Sequence, residues 1–158
     1  MKNLVLPFLL VSCVMLQSCK KNETQKEAAK SEAESIVSVQ CYKALYEKDT
    51  IDLKLNTLKD GKISGDLVMK MYGTPQKNGE VIGEFKGDTL FVDYTFIEGT
   101  NKDVKFKNPM AFLKRDKQLI LGNGTMETYL GRTYFAKGKP IDFDRVKYKF
   151  ETTDCVDK

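Results

Sequence analysis

The chain has 158 residues, the length of one ordinary domain, with 26 Lys+Arg against 22 Asp+Glu for a formal net charge of +4, and it contains neither histidine nor tryptophan. Without imidazole there is no Ser-His-Asp or Cys-His relay, no His-ligated zinc or haem, and no side chain that ordinarily titrates near neutrality. All the cations but Arg115, Arg132 and Arg145 are lysines, and they alternate with Asp and Glu along most segments; nucleic-acid binders gather theirs on one face among aromatics, so no nucleic-acid partner is expected.

Met1-Lys2-Asn3 is a short cationic start, and Leu4 to Leu16 is an apolar stretch interrupted only by Pro7, Ser12 and Cys13. It is too short to span a bilayer and suits the apolar region of an export signal. The next residues, Leu16-Gln17-Ser18-Cys19, resemble the lipobox of bacterial lipoproteins, although Gln17 stands where that motif has a small residue. The resemblance implies a signal peptide over 1–18, cleavage before Cys19, and diacylglyceryl transfer to its thiol, so that acyl chains such as palmitate hold the protein to the membrane. Leu10-Val11-Ser12-Cys13 fits the box letter by letter, but using it would leave Val14-Met15-Leu16 in the mature start, whereas Cys19 is followed by the hydrophilic Lys20-Lys21-Asn22-Glu23. Cys19 is therefore the expected lipidation site, with a plain secreted protein as the alternative. In lipoprotein sorting, a mature start of Cys19-Lys20 lacks the aspartate that retains proteins in the inner membrane, which implies the outer membrane of the cell envelope.

Residues 19–40 read as a lipidated N-terminus and polar tether. Lys20 to Ser38 has four Lys, four Glu and no aromatic residue, so it has little to bury. Thr24-Gln25-Lys26-Glu27 has capping-box spacing and Lys30 and Glu34 are spaced for pairing, but a helix this short needs packing to persist in water.

From Cys41 onward the hydrophobic period is two, the signature of half-buried strands. Ile51, Leu53 and Leu55 alternate with polar residues, Asp60-Gly61 supplies a hairpin turn, and Ile63, Leu67, Met69 and Met71 return. A loop from Gly73 to Gly79, a run Val81 to Lys86, the Gly87-Asp88 turn and the strongly β-prone Thr89 to Glu98 form a second hairpin. Asp103 to Lys107 and Met110 to Lys114 read as one strand broken at Pro109, which donates nothing to a ladder and marks a bulge or edge. Gln118 to Leu121 follows, Thr128 to Pro140 is ambiguous, and Val146, Tyr148 and Phe150 alternate inward in a last strand. Residues 41–158 are thus expected to be one all-β domain, an antiparallel up-and-down meander of seven or eight strands, closed or nearly closed into a small barrel.

The four cysteines, Cys13, Cys19, Cys41 and Cys155, have neither CxxC nor zinc-knuckle spacing, so no metal site and no cofactor is expected. Cys41 and Cys155 open and close the β region and remain once Cys19 is acylated. In an oxidising envelope they are expected to form a disulfide, with two buried free thiols as the alternative. Asp142-Phe143-Asp144 sets two carboxylates two residues apart, enough to perturb a pKa or contribute to a Ca²⁺ cage, but with no further acidic cluster to complete a cage a turn near Pro140 with solvated aspartates is the expected reading. Ser64-Gly65 and Gly122-Asn123-Gly124 read as bulge and turn residues, since no helix follows to complete a phosphate cradle. No catalytic set emerges.

In its outline of anchor, spacer, β meander and disulfide, the chain is similar to small lipocalin-like and lysozyme-inhibitor-like envelope barrels. Those inhibitors insert a Ser-Gly-x-x-Tyr-like stretch into their target; Ser64-Gly65-Asp66-Leu67-Val68 has Val68 in place of the tyrosine, so the activity does not carry over. The expected function is a non-enzymatic binding module for a protein or an envelope polymer such as a glycan. The alternatives are a lipocalin-like carrier of a small apolar ligand and an enzyme built on Asp142, Asp144 or other carboxylates. Whether the interior is filled by its aromatic residues or left hollow separates the first two.

Overall fold

A computed structural model describes residues 35–156. The export signal, Cys19 and the tether as far as residue 34 lie outside the described residues, as do 157–158. The eight long-paired strands close into an antiparallel barrel. They are β1 (Ile36–Tyr46), β2 (Asp49–Leu58), β3 (Ile63–Lys70), β4 (Lys77–Lys86), β5 (Thr89–Glu98), β6 (Phe106–Arg115), β7 (Gln118–Leu121) and β12 (Lys149–Thr153). Around the barrel the order is β1, β12, β7, β6, β5, β4, β3, β2. The expected meander is therefore present, interrupted once: between β7 and β12 the chain leaves the wall to form two small two-stranded ladders. In these, β8 (Asn123–Gly124) pairs with β11 (Ile141–Asp142), and β9 (Met126–Tyr129) pairs with β10 (Arg132–Phe135).

Four boundaries differ from the sequence reading, the last strand among them, since β12 is Lys149–Thr153 and the alternating Val146 and Tyr148 lie before it. The barrel begins at Ile36, not Cys41, because Ile36 to Tyr46 pairs along its length with β2, from Ile36↔Leu58 to Tyr46↔Asp49. Its inward residues are Tyr42, Ala44 and Tyr46, while Ile36 to Gln40 are exposed, so its apolar alternation is weak and pairing with a strongly patterned neighbour overrides it. Likewise β4 starts at Lys77 rather than Val81, running through Asn78-Gly79 opposite Phe96 and Ile97. Finally, β6 is continuous through Pro109, which faces Asp93; β7 meets β6 only between Phe112↔Leu121 and Arg115↔Gln118, so Pro109 sits where β6 has a strand on one side alone.

The interior is occupied by side chains. Sixteen buried residues form one cluster, with Ile51, Leu53, Leu67, Val81, Leu90, Tyr94, Phe112, Leu119 and Phe150 among the most enclosed. Tyr94 stacks on Phe96 at 4.6 Å between ring centroids, and Phe112 meets Phe150 edge-on at 5.5 Å. The Tyr94 phenol donates to the Leu67 carbonyl oxygen at 3.1 Å, and burial pushes its pKa up, so it stays neutral and satisfied. Gly65 lets two strands coil closely enough to close the wall: a Cβ there would lie 1.9 Å from the Lys54 carbonyl oxygen. All of these pairings and this core lie within residues 36–153, and together with the Cys41–Cys155 disulfide they belong to one compact unit, Ala33–Lys158.

Closure is narrowest at one seam. There β12 meets β7 only at Lys149↔Ile120 and Phe150↔Leu119, and meets β1 only from Cys41↔Thr153 to Lys43↔Glu151. The Cys41–Cys155 disulfide, with its Cα atoms 5.2 Å apart, fastens the strand end at this point.

Candidate functional site

The two ends of the barrel are built differently. At one end β2–β3, β4–β5 and β6–β7 are joined by short turns, and β1 begins there, next to Leu58. The other end carries the longer connections: the loop 71–76 between β3 and β4, the loop 99–105 between β5 and β6, and the 122–148 excursion, beside the tight β1–β2 turn at Glu47-Lys48.

Asp49, the first residue of β2, is the hub of this loop-bearing end. Its Oδ1 accepts the backbone N–H of Tyr72 at 2.7 Å and its Oδ2 accepts the Tyr148 hydroxyl at 2.7 Å. One carboxylate thereby ties together the β1–β2 turn, the β3–β4 loop and the approach to β12. The Tyr72 N–H, then the Tyr148 hydroxyl, and more distantly Lys147 hold the Asp49 carboxyl below its ordinary range, because each favours the ionised form. In return, burial and the hydrogen bond to Asp49 push the Tyr148 pKa up. Tyr46 packs edge-on to Tyr148 at 5.9 Å, and Met71 sulfur lies 3.8 Å from the Tyr148 hydroxyl. A second tie joins two loops, since Gly99 N–H donates to the Gln76 carbonyl at 2.7 Å.

Lysines lie over the aromatic faces at this end. Lys48 Nζ is 4.3 Å from the centroid of Tyr72, a ring that is 70% exposed, and Lys147 Nζ is 5.4 Å from that of Tyr46. Lys77 is placed over Phe96 at 5.2 Å and paired with Glu98 at 3.4 Å, while Phe106 continues the Tyr94–Phe96 stack outward. The result is a rim of tyrosine faces and ammonium groups held by a buttressed carboxylate. Such a rim suits recognition by stacking and charge. It does not suit proton abstraction, because both Asp49 oxygens are engaged and its affinity for a proton is lowered.

Compared with known proteins, the chain matches no family model, no curated protein and no solved structure.

The residues singled out from sequence fall in several places. Cys19 lies outside the described residues. Cys41 and Cys155 are joined, and the alternative of two free thiols is not what the structure contains. Asp142 is a turn residue: its Oδ1 accepts the backbone N–H groups of Asp144 and Arg145, and its Oδ2 accepts Arg145 Nε at 2.8 Å. Those donors hold its pKa down to about 2. Asp144 pairs instead with Arg115 at 3.3 Å. The two carboxylates are therefore split between two arginines and do not form one acidic pair. Ser64 to Val68 lies within β3, in the wall, and Asn123 donates its side-chain amide to the Arg145 carbonyl. Among the described residues no group of His, Cys, Asp and Glu is arranged to hold a metal.

Sequence reasoning missed the rim itself. Asp49 and Tyr148 are 99 positions apart and neither sits in a motif. The only local signal is the position of Tyr46, Tyr72 and Tyr148 at or just beyond strand ends, since a tyrosine brings an aromatic face and a polar tip to a wet boundary.

Proposed function

We propose that this chain is a lipid-anchored lipoprotein of the bacterial cell envelope, acylated at Cys19 and held in the outer membrane, whose barrel is a non-enzymatic binding module for a protein or an envelope polymer. The observation that carries the binding part is the rim described above, where exposed Tyr72 and its covering Lys48 stand on loops fixed by Asp49. Rigid positioning lowers the ordering cost of binding, and tyrosine faces with nearby cations are efficient contact groups. A carrier of apolar molecules would need a hollow where Tyr94, Phe112 and Phe150 pack.

Two measurements test the reading. Cells fed an alkyne-tagged palmitate should label the wild-type chain and not a Cys19→Ser variant; equal labelling of both removes the anchor. Capture from envelope extracts should enrich one partner with the wild-type domain and lose it with a Lys48→Ala/Tyr72→Ala double variant. A partner retained by that variant places binding elsewhere.

A further inference from the structure

We propose that the β9–β10 hairpin is a second contact element, one that seats on an anionic phospholipid surface. At its tip Leu130 and Gly131 have φ of 49° and 74°. Two successive positive φ values make the tight hairpin loop that Asn-Gly adopts most easily, and a leucine in that conformation is strained. Nothing in the fold uses the side chain, which is 84% exposed. A bulky apolar residue kept in a strained and solvated position points to an external contact.

The rest of the hairpin gives that contact a chemistry. Cross-strand pairing sets Tyr129 opposite Arg132 and Glu127 opposite Tyr134, and the Tyr134 hydroxyl donates to the Tyr129 carbonyl at 2.9 Å. Phe135 alternates with these residues; its ring packs against Gly124, in a groove with Pro109 and Met110 of the barrel wall, which leaves the tyrosine face outward. Arg132, Lys137 and Lys139 are exposed, and among the described residues none has a carboxylate within 4.0 Å. Glu127 is the only acid between Met126 and Lys139. An apolar tip, tyrosines and Arg132 behind it, and Lys137 and Lys139 past the base of the hairpin follow the order of a bilayer surface: acyl chains, then the wet headgroup boundary, then phosphates. The charge complement selects an anionic surface. This contact does not depend on acylation of Cys19.

The test uses residues 33–158, which carry the whole barrel and its disulfide, with vesicles of phosphatidylcholine alone or mixed with phosphatidylglycerol. The wild-type domain is expected to sediment with the mixed vesicles, to be released by salt, and to ignore phosphatidylcholine. Leu130→Asn suits the turn, so its melting temperature should hold or rise while vesicle affinity falls by about tenfold, the effect of withdrawing one leucine side chain from the apolar phase. Replacing Arg132, Lys137 and Lys139 by Gln should weaken binding by roughly a hundredfold. Failure of the wild type to bind either vesicle, equal binding to both, or full binding by Leu130→Asn each overturns the proposal. The first of these would leave a protein cleft as the occupant of the tip.

Discussion

Tyr148 and Asp49 meet through a 2.7 Å hydrogen bond across 99 positions of sequence, joining the last barrel strand to the first hairpin at the loop-bearing end. Because Asp49 also accepts the Tyr72 N–H, this contact decides where the most exposed tyrosine of the rim is held. Tyr148→Phe removes the hydroxyl and keeps the ring against Tyr46. Its melting temperature should fall by only about 3–5 °C, the size expected for one hydrogen bond in a domain this small. Faster amide exchange should appear at Tyr72 and its neighbours; unchanged exchange there would show that the loop is positioned by other contacts.

The disulfide spans 114 positions and fastens β12 to β1, on the other side of β12 from its two-pair contact with β7. On the chain-entropy account, a loop of that length contributes about 4–5 kcal/mol. A Cys41→Ala/Cys155→Ala variant should lose stability of that order in urea, and its exchange protection should vanish first along Lys149 to Thr153, where ladder pairing is scarce. Equal loss of protection across β3 to β5 would argue against a local seam.

Phe112 and Phe150 pack edge-on inside the barrel and are fully enclosed. Phe112→Ala should cost about 3–5 kcal/mol, since the closed ladders around it restrict collapse into the void. A much smaller cost, or recovery of stability by a bound apolar molecule, would mean that the interior is readily opened to ligands.

Gly65 is bound by backbone, not by flexible side chains: a Cβ would lie 1.9 Å from the Lys54 carbonyl oxygen. Gly65→Ala should therefore destabilise by about 1–3 kcal/mol or more, as forced overpacking does. A neutral effect in thermal melts would show that β2 and β3 separate there at little cost.

Asp142 has its pKa lowered to about 2 by the backbone N–H groups of Arg145 and Asp144 and by the Arg145 guanidinium. A depressed carboxylate contributes stability that is fully present above its unfolded pKa of about 4 and is lost as pH falls through the folded value near 2. Chemical shifts of Asp144 and Arg145 should accordingly be flat above pH 5 and change between about pH 4 and 2. Asp142→Asn, which keeps an acceptor but cannot ionise, should abolish that titration; its persistence would show that Asp142 is not its source.

Period-two alternation in Ile51 to Leu55, Ile63 to Met71 and Thr89 to Glu98, with turn residues such as Asp60-Gly61 between, was enough to specify the meander, because neighbouring antiparallel strands need only local pattern and local turns; from Val146 to Tyr148 the same alternation runs ahead of the strand, which starts at Lys149. The pairing of Cys41 with Cys155 was legible for a similar reason: once the strands close, the two ends of the β region meet. What tertiary structure alone decided is where local pattern is weak or silent. Ile36 to Tyr46 is a strand because β2 pairs with it; the interior is filled because rings distant in sequence, such as Phe112 of β6 and Phe150 of β12, are brought either side of β7 and pack against each other inside it. Likewise, Asp49 became a hub only once closure brought Tyr148 beside it, and Leu130 is exposed because its hairpin leaves the barrel wall. Alternation reports which face a side chain takes, but it carries no information about which distant side chain stands opposite.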